Sequence, residues 1–271
     1  MNRGLIIRAF RELWPVTLVL SLVLMGMEAL LAYVLPKFSD DVSQEWLKVD
    51  YTRAIYKAML GTDVVDRIGR QMFQAMAWVD PPVIALVWAH AVVCCTRVPA
   101  REVDQGTADV FLGLPVSRRE VFLSETLVWL VCGAALLAAA LSGNLLGGLG
   151  LPAEQRPPFT QVLPIVLNFF CLYVAAGGLA WLVSSFSSRR GRAMTIIFLI
   201  LLVLFLLNYL AQFWKPLEAF AFLSPLHYHR PVYLLGGGAW PWSDMFVLMA
   251  TGAVMWIAGG IVFARRDLCT V

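Results

Sequence analysis

Glu28 and His90 stand deep within long apolar runs of the sequence. A charge at the centre of a bilayer costs at least about 2.5 kcal/mol by insertion scales, so such a side chain has a partner or lines a watery cavity. Glu28 lies eight residues before position 36, where the first run ends. That is roughly 12 Å at the helical rise of about 1.5 Å per residue. His90 lies eight residues beyond Pro82, close to the start of the second run. Neighbouring antiparallel helices would set the two at similar depth, as a pair or as part of a pathway. The other reading is a neutral Glu and a neutral His, each hydrogen-bonded to backbone.

The remaining chemistry-bearing residues carry less. Cys94, Cys95, Cys132, Cys171 and Cys269 lie in apolar segments or near the C-terminus and outline no disulfide framework. His227 and His229 form an H-x-H pair with no nearby Cys or acid triad, so no metal site is expected. Met72 and Met76 share a helical spacing that suits packing. Asn144, Asn168 and Asn208 are candidates for interhelical hydrogen bonds, and Gly177-Gly178 for close helix approach.

The polar segment Arg101 to Val121 is the most informative. It opens on Glu102, Asp104, Gly106 and Thr107, an acidic patch and a glycine turn. An apolar run with Val110, Phe111 and Leu114 follows, suited to a short helix on a membrane face. Pro115 ends that helix, because proline lacks the N–H a helix needs. Ser117 then caps the next helix with Glu120 as its capping-box partner, and Arg118 and Arg119 lie in the first turn.

The elements that must position these residues follow from composition. Of 271 residues, 60% are hydrophobic and 14% charged, and the mean hydropathy is +0.74. A soluble domain carries about 25% charged residues, so a soluble enzyme and a disordered chain are both excluded. The formal net charge of +3 is too small for a nucleic-acid binder. Six stretches reach the roughly 20 apolar residues that a spanning helix needs: about 15–36, 77–96, 121–142, 161–186, 194–213 and 245–264. The first is too long for a signal-peptide core and is read as a retained span. The chain is thus all-α, a single transmembrane domain over 1–271.

Basic residues set the expected orientation. With the N-terminus inside, segments 1–14, 97–120, 187–193 and 265–271 face the cytoplasm and hold 12 basic residues in 52 positions. The outer segments 37–76, 143–160 and 214–244 hold nine in 89, six of them in the first outer loop beside Asp40, Asp41, Glu45, Asp50, Asp63 and Asp66. Both termini are expected inside.

The order E-x-x-x-G-T, then L-P-V-S-R-x-x-V, here Glu102, Gly106, Thr107, Leu114 to Arg118 and Val121, resembles the permease subunits of type 2 ABC exporters. Residues 1–14, with Ile6, Phe10 and Leu13 on one side, look like that family's amphipathic elbow helix. Leu223 to Tyr228 and Phe263 to Leu268 resemble its later segments. One departure is Ser124-Glu125, where many relatives carry a lysine. The resemblance implies a multi-pass protein of the bacterial plasma (inner) membrane that pairs with a second, identical or homologous six-span permease. It further implies two cytoplasmic ATPase subunits that bind ATP and Mg, with Glu102, Asp104, Gly106, Phe111, Leu114, Pro115, Arg118 and Arg119 as the surface that couples to them. The chain itself has no G-x-x-x-x-G-K-S/T phosphate loop, so no cofactor and no catalysis are expected of it. The competing readings are an intramembrane enzyme using Glu28, His90 or Asp244, and a membrane assembly factor without transport. No H-E-x-x-H or G-x-S-x-G motif supports the former.

Overall fold

A computed structural model describes residues 3–42, 70–98, 117–236 and 238–265. Its order is α1 (Arg3–Val42), α2 (Arg70–Val79), α3 (Pro81–Cys95), α4 (Arg118–Leu149), α5 (Phe159–Phe186), α6 (Arg190–Ala211), the short α7 (Lys215–Glu218) and α8 (Pro231–Leu235), and α9 (Trp242–Arg265). Short 3-10 turns cover Ala153–Gln155, Ala221–Leu223 and Pro225–Tyr228. Six helical stretches are long and apolar enough to cross a membrane: Arg3–Lys37, Gln74–Cys95, Arg118–Leu149, Ala153–Phe186, Arg190–Ala211 and Trp242–Arg265. The all-α, six-span architecture read from composition is therefore the observed one.

Two of the differences from the expected boundaries bear on the sites. The elbow helix and the first span are one continuous helix of 40 residues, with Pro15 inside it. Proline at 15 removes one backbone hydrogen bond, but the residues on both sides keep the helical path. At about 1.5 Å per residue α1 is about 60 Å long, twice the roughly 30 Å hydrocarbon core, so its amphipathic first turns extend beyond the apolar layer. The second span begins at Gln74 rather than 77 and is broken at Asp80, the N-cap of α3, with prolines at the first two positions of that helix. Pro81 and Pro82 have no N–H to offer the carbonyls four residues back, Ala77 and Trp78.

α5 is the central helix. Tyr173, Phe169, Trp181, Leu172 and Ile165 are all fully buried on it. α9 lies against it through glycines: a Cβ on Gly178 would come within 2.3 Å of the Gly252 carbonyl oxygen. α1 lies as close to α4, because a Cβ on Gly143 or Gly147 would meet the carbonyl oxygens of Met25 at 2.1 Å and Ala29 at 2.2 Å. Small residues allow this backbone contact, which drives helix association where both surroundings are apolar. α6 buries one stripe, Ala193, Ile197 and Leu201, and exposes Ile196, Leu199, Leu202, Val203 and Leu206. An apolar helix exposed on most of its surface is what lipid permits and water does not.

Candidate functional site

The arginine-bearing ends of the helices gather on one side of the molecule. Arg97, just beyond the C-terminal end of α3, is 3% exposed. Its Nε donates to Glu125 Oε2 of α4 at 3.0 Å, and its Nη2 to Glu125 Oε1. Its Nη1 donates to Glu12 Oε2 of α1. Glu12 is held in turn by Arg8 Nε at 3.1 Å, one helical turn away. Burial alone draws the Arg97 guanidinium down, but Glu125 and then Glu12 outweigh it and hold it above its ordinary value. The planar fork of arginine suits such two-sided carboxylate recognition.

This cluster brackets the segment singled out in the sequence. α3 leads into it through Arg97, and Ser117 and Glu120 leave it. Ser117 caps α4: its Oγ accepts from Glu120 N at 3.2 Å, and Glu120 Oε2 accepts from Ser117 N at 3.0 Å. The expected capping box is thus present. Arg118 is partly buried and Arg119 exposed in the first turn of α4. Glu102, Asp104, Gly106, Phe111, Leu114 and Pro115 lie outside the described residues. Sequence reading passed over the cluster itself. Arg97 entered only as a topology charge, and Glu125 only as a departure from lysine. The signal available was an acid inside the third apolar run facing an arginine at the same end of the second.

Glu28 and His90 are both fully buried, but the structure gives them different partners. Asn144 Nδ2 of α4 donates to Glu28 Oε2 at 3.1 Å. His90 Nδ1 lies 3.0 Å from the Tyr173 hydroxyl of α5, and Nε2 lies 3.0 Å from Thr17 Oγ1 of α1. Tyr173 donates its own proton to the Trp129 carbonyl at 3.2 Å. The arrangement that satisfies every group is therefore Nδ1–H donating to Tyr173 and Nε2 accepting from the Thr17 hydroxyl, with a neutral ring. Thr17 is 11 residues before Glu28 on one helix, about 16 Å along its axis. Of the two readings of Glu28 and His90, neither the mutual pair nor backbone partners is what the structure has: each meets side chains of other helices. The second span starts several residues before Pro82, which carries His90 toward the arginine-bearing end and away from the depth of Glu28.

On the opposite side, Asn168 of α5 links His229 Nδ1 at 2.7 Å with the Tyr228 carbonyl at 3.1 Å. His229 Nε2 lies 3.2 Å from the Trp78 carbonyl, but with Nδ1–H donating to the Asn168 amide oxygen the neutral ring has no second proton to give it. Burial pushes His229 down to about 4. Among the described residues no group of three or more His, Cys, Asp or Glu is placed to hold a metal ion.

Neither a curated protein nor a solved structure matches the chain. A family model does, over residues 7–268. That match spans nearly all of a chain with six membrane-crossing helices, and by it the chain belongs to the ABC-2 family transporter proteins, the multi-pass membrane components of transporters.

Proposed function

We propose that the chain is the permease of an ATP-driven exporter in a bacterial plasma membrane. It works with a second six-span copy or homologue and with two cytoplasmic ABC ATPases, which bind the ATP and Mg. The segment between α3 and α4 is the surface that receives the ATPase. Phe111 and Leu114 seat in an apolar groove of that subunit, with Gly106 and Pro115 bounding their helix. Glu102, Asp104, Arg118 and Arg119 form the rim, where charge contributes more to orientation than to affinity.

The observation that carries this reading is the Arg97 cluster. Arg97 on one flank of the segment is bonded to Glu125 beyond the other flank and to Glu12 of α1. Both flanks are therefore tied to each other and to the first helix. A displacement of the segment reaches α1, α3 and α4 together instead of being taken up by a slack connection. Movement imposed from outside the membrane is thereby delivered to three spans at once.

The test replaces Phe111→Ala and Leu114→Asp together and asks whether the partner ATPase is recovered with the tagged permease from membranes. At normal membrane levels of the variant, recovery is expected to fall at least tenfold. Wild-type recovery with wild-type transport refutes the assignment.

A further inference from the structure

Glu28 is a buried carboxyl that the coupling scheme does not use. Its Oε2 accepts from Asn144, and its Oε1 has no hydrogen-bond partner among the described residues. The carboxylates of Glu12 and Glu125 are both met by arginine. Glu28 is met by one neutral amide. The titratable group whose charge reaches it is another acid, Asp80, at the start of α3. α4 brings only Asn144, and α1 brings no cation to it among the described residues. Among the described residues, nothing around Glu28 neutralises a carboxylate.

Space narrows what can. Gly143 and Gly147 lie on either side of Asn144 along α4, and Met25 and Ala29 lie on either side of Glu28 along α1. A Cβ on either glycine would sit 2.1 or 2.2 Å from the facing carbonyl oxygen. The two backbones touch on either side of the carboxyl along the helix axes, and Glu28 itself is fully buried, which favours the smallest ligand. A proton fits, and Oε1 is the oxygen free to carry it.

We propose that Glu28 is a proton-binding site whose occupancy is linked to the seating of α1 on α4. It is a carboxylic acid while the helices touch and releases its proton when they part. Asn144 positions the acid by donating to the other oxygen. Any conformational step that separates α1 from α4 thereby exchanges a proton.

The experiment uses the full chain in lipid nanodiscs. Infrared difference spectra at neutral pH between wild type and Glu28→Gln are expected to show a carboxylic-acid carbonyl band, shifted in deuterated water and missing from the variant. A difference carrying only carboxylate bands overturns the proposal. The linkage has a second readout. The folded acid holds a proton that the unfolded carboxyl has released, so wild-type stability falls as pH rises. From about pH 5 upward, the folding constant of the wild type divided by that of Glu28→Gln is expected to fall about tenfold per pH unit until the folded site itself ionises. A ratio that is flat with pH overturns the proposal. If Glu28→Gln does not insert, the acid band is sought in wild type carrying carbon-13 glutamate, and its absence has the same consequence.

Discussion

At the scale of single residues, Arg97 carries the most consequence. A guanidinium that is 3% exposed between two carboxylates has had its water replaced by two partners. Removing one partner from such a pair leaves an uncompensated buried charge, at a typical cost of about 3–5 kcal/mol. Arg97→Gln and Glu125→Gln are each expected to lose stability in that range in detergent unfolding. The double variant is expected to lose less than the sum. Glu12→Gln is expected to cost less, because Glu12 is 35% exposed and water can replace its contact. Additive losses for Arg97 and Glu125 would mean that the pair does not form. His229 sets a separate pH dependence. Its folded value near 4 lies below the ordinary histidine value of about 6.5, so the unfolded chain binds the proton more readily. Its contribution to stability is therefore present above about pH 6.5 and is lost as the pH falls toward 4. Thermal midpoints between about pH 7 and pH 5 are expected to drop more for wild type than for His229→Gln, and equal drops would contradict the neutral buried ring.

At the scale of helices, close approach is the controlling fact. Gly143 faces a backbone carbonyl of α1, which cannot rotate aside as a side chain can. Gly143→Ala must push the helices apart and is expected to destabilise by about 1–3 kcal/mol, the usual cost of overpacking. Gly26→Ala, at the residue after Met25 on α1, has nothing within 4 Å of the new Cβ and is expected to be neutral or slightly stabilising, since alanine is the better helix former. Measured unfolding of the two variants side by side checks the α1–α4 contact. The helices themselves were legible in the sequence, because twenty apolar residues between charged ends have few alternatives. The capping box at Ser117 was legible for the same local reason. What escaped was helix-to-helix register. Composition fixes which residues lie in the membrane, but partners such as Glu28 and Asn144, 116 residues apart, depend on where glycines let backbones meet. The second span begins before the Asp80 break rather than at it, so His90 lies further along it and meets Thr17 and Tyr173.

At the scale of the whole molecule, several contacts between helix ends set two sides apart. Arg97 joins the end of α3 to the starts of α1 and α4. Arg190 Nη2 reaches the Val93 carbonyl at 3.4 Å, which places the start of α6 there too. Phe122 and Phe263 stack with ring centroids 6.3 Å apart, bringing the end of α9 to the same side. The described arginines that the sequence scatters over four segments thus share one face, while Asn168, His229 and Trp78 meet at the other. Basic residues near span ends are retained on the cytoplasmic side, so the shared face is expected to be the inner one. The check uses single cysteines at exposed, described positions in a chain with Cys269→Ser. Glu154→Cys and Glu218→Cys lie on the far side, and Arg119→Cys and Arg192→Cys on the arginine-bearing side. A membrane-impermeant maleimide added to intact cells whose outer barrier has been removed is expected to label the first pair at once. The second pair should react only after the membrane is opened. The native Cys94, Cys95, Cys132 and Cys171 are buried and should stay unlabelled in both conditions. Labelling in the reverse order would place the α3–α4 segment outside, beyond reach of any cytoplasmic ATPase. The proposed coupling role would then fall, while the family, the six spans and the protonated Glu28 would stand.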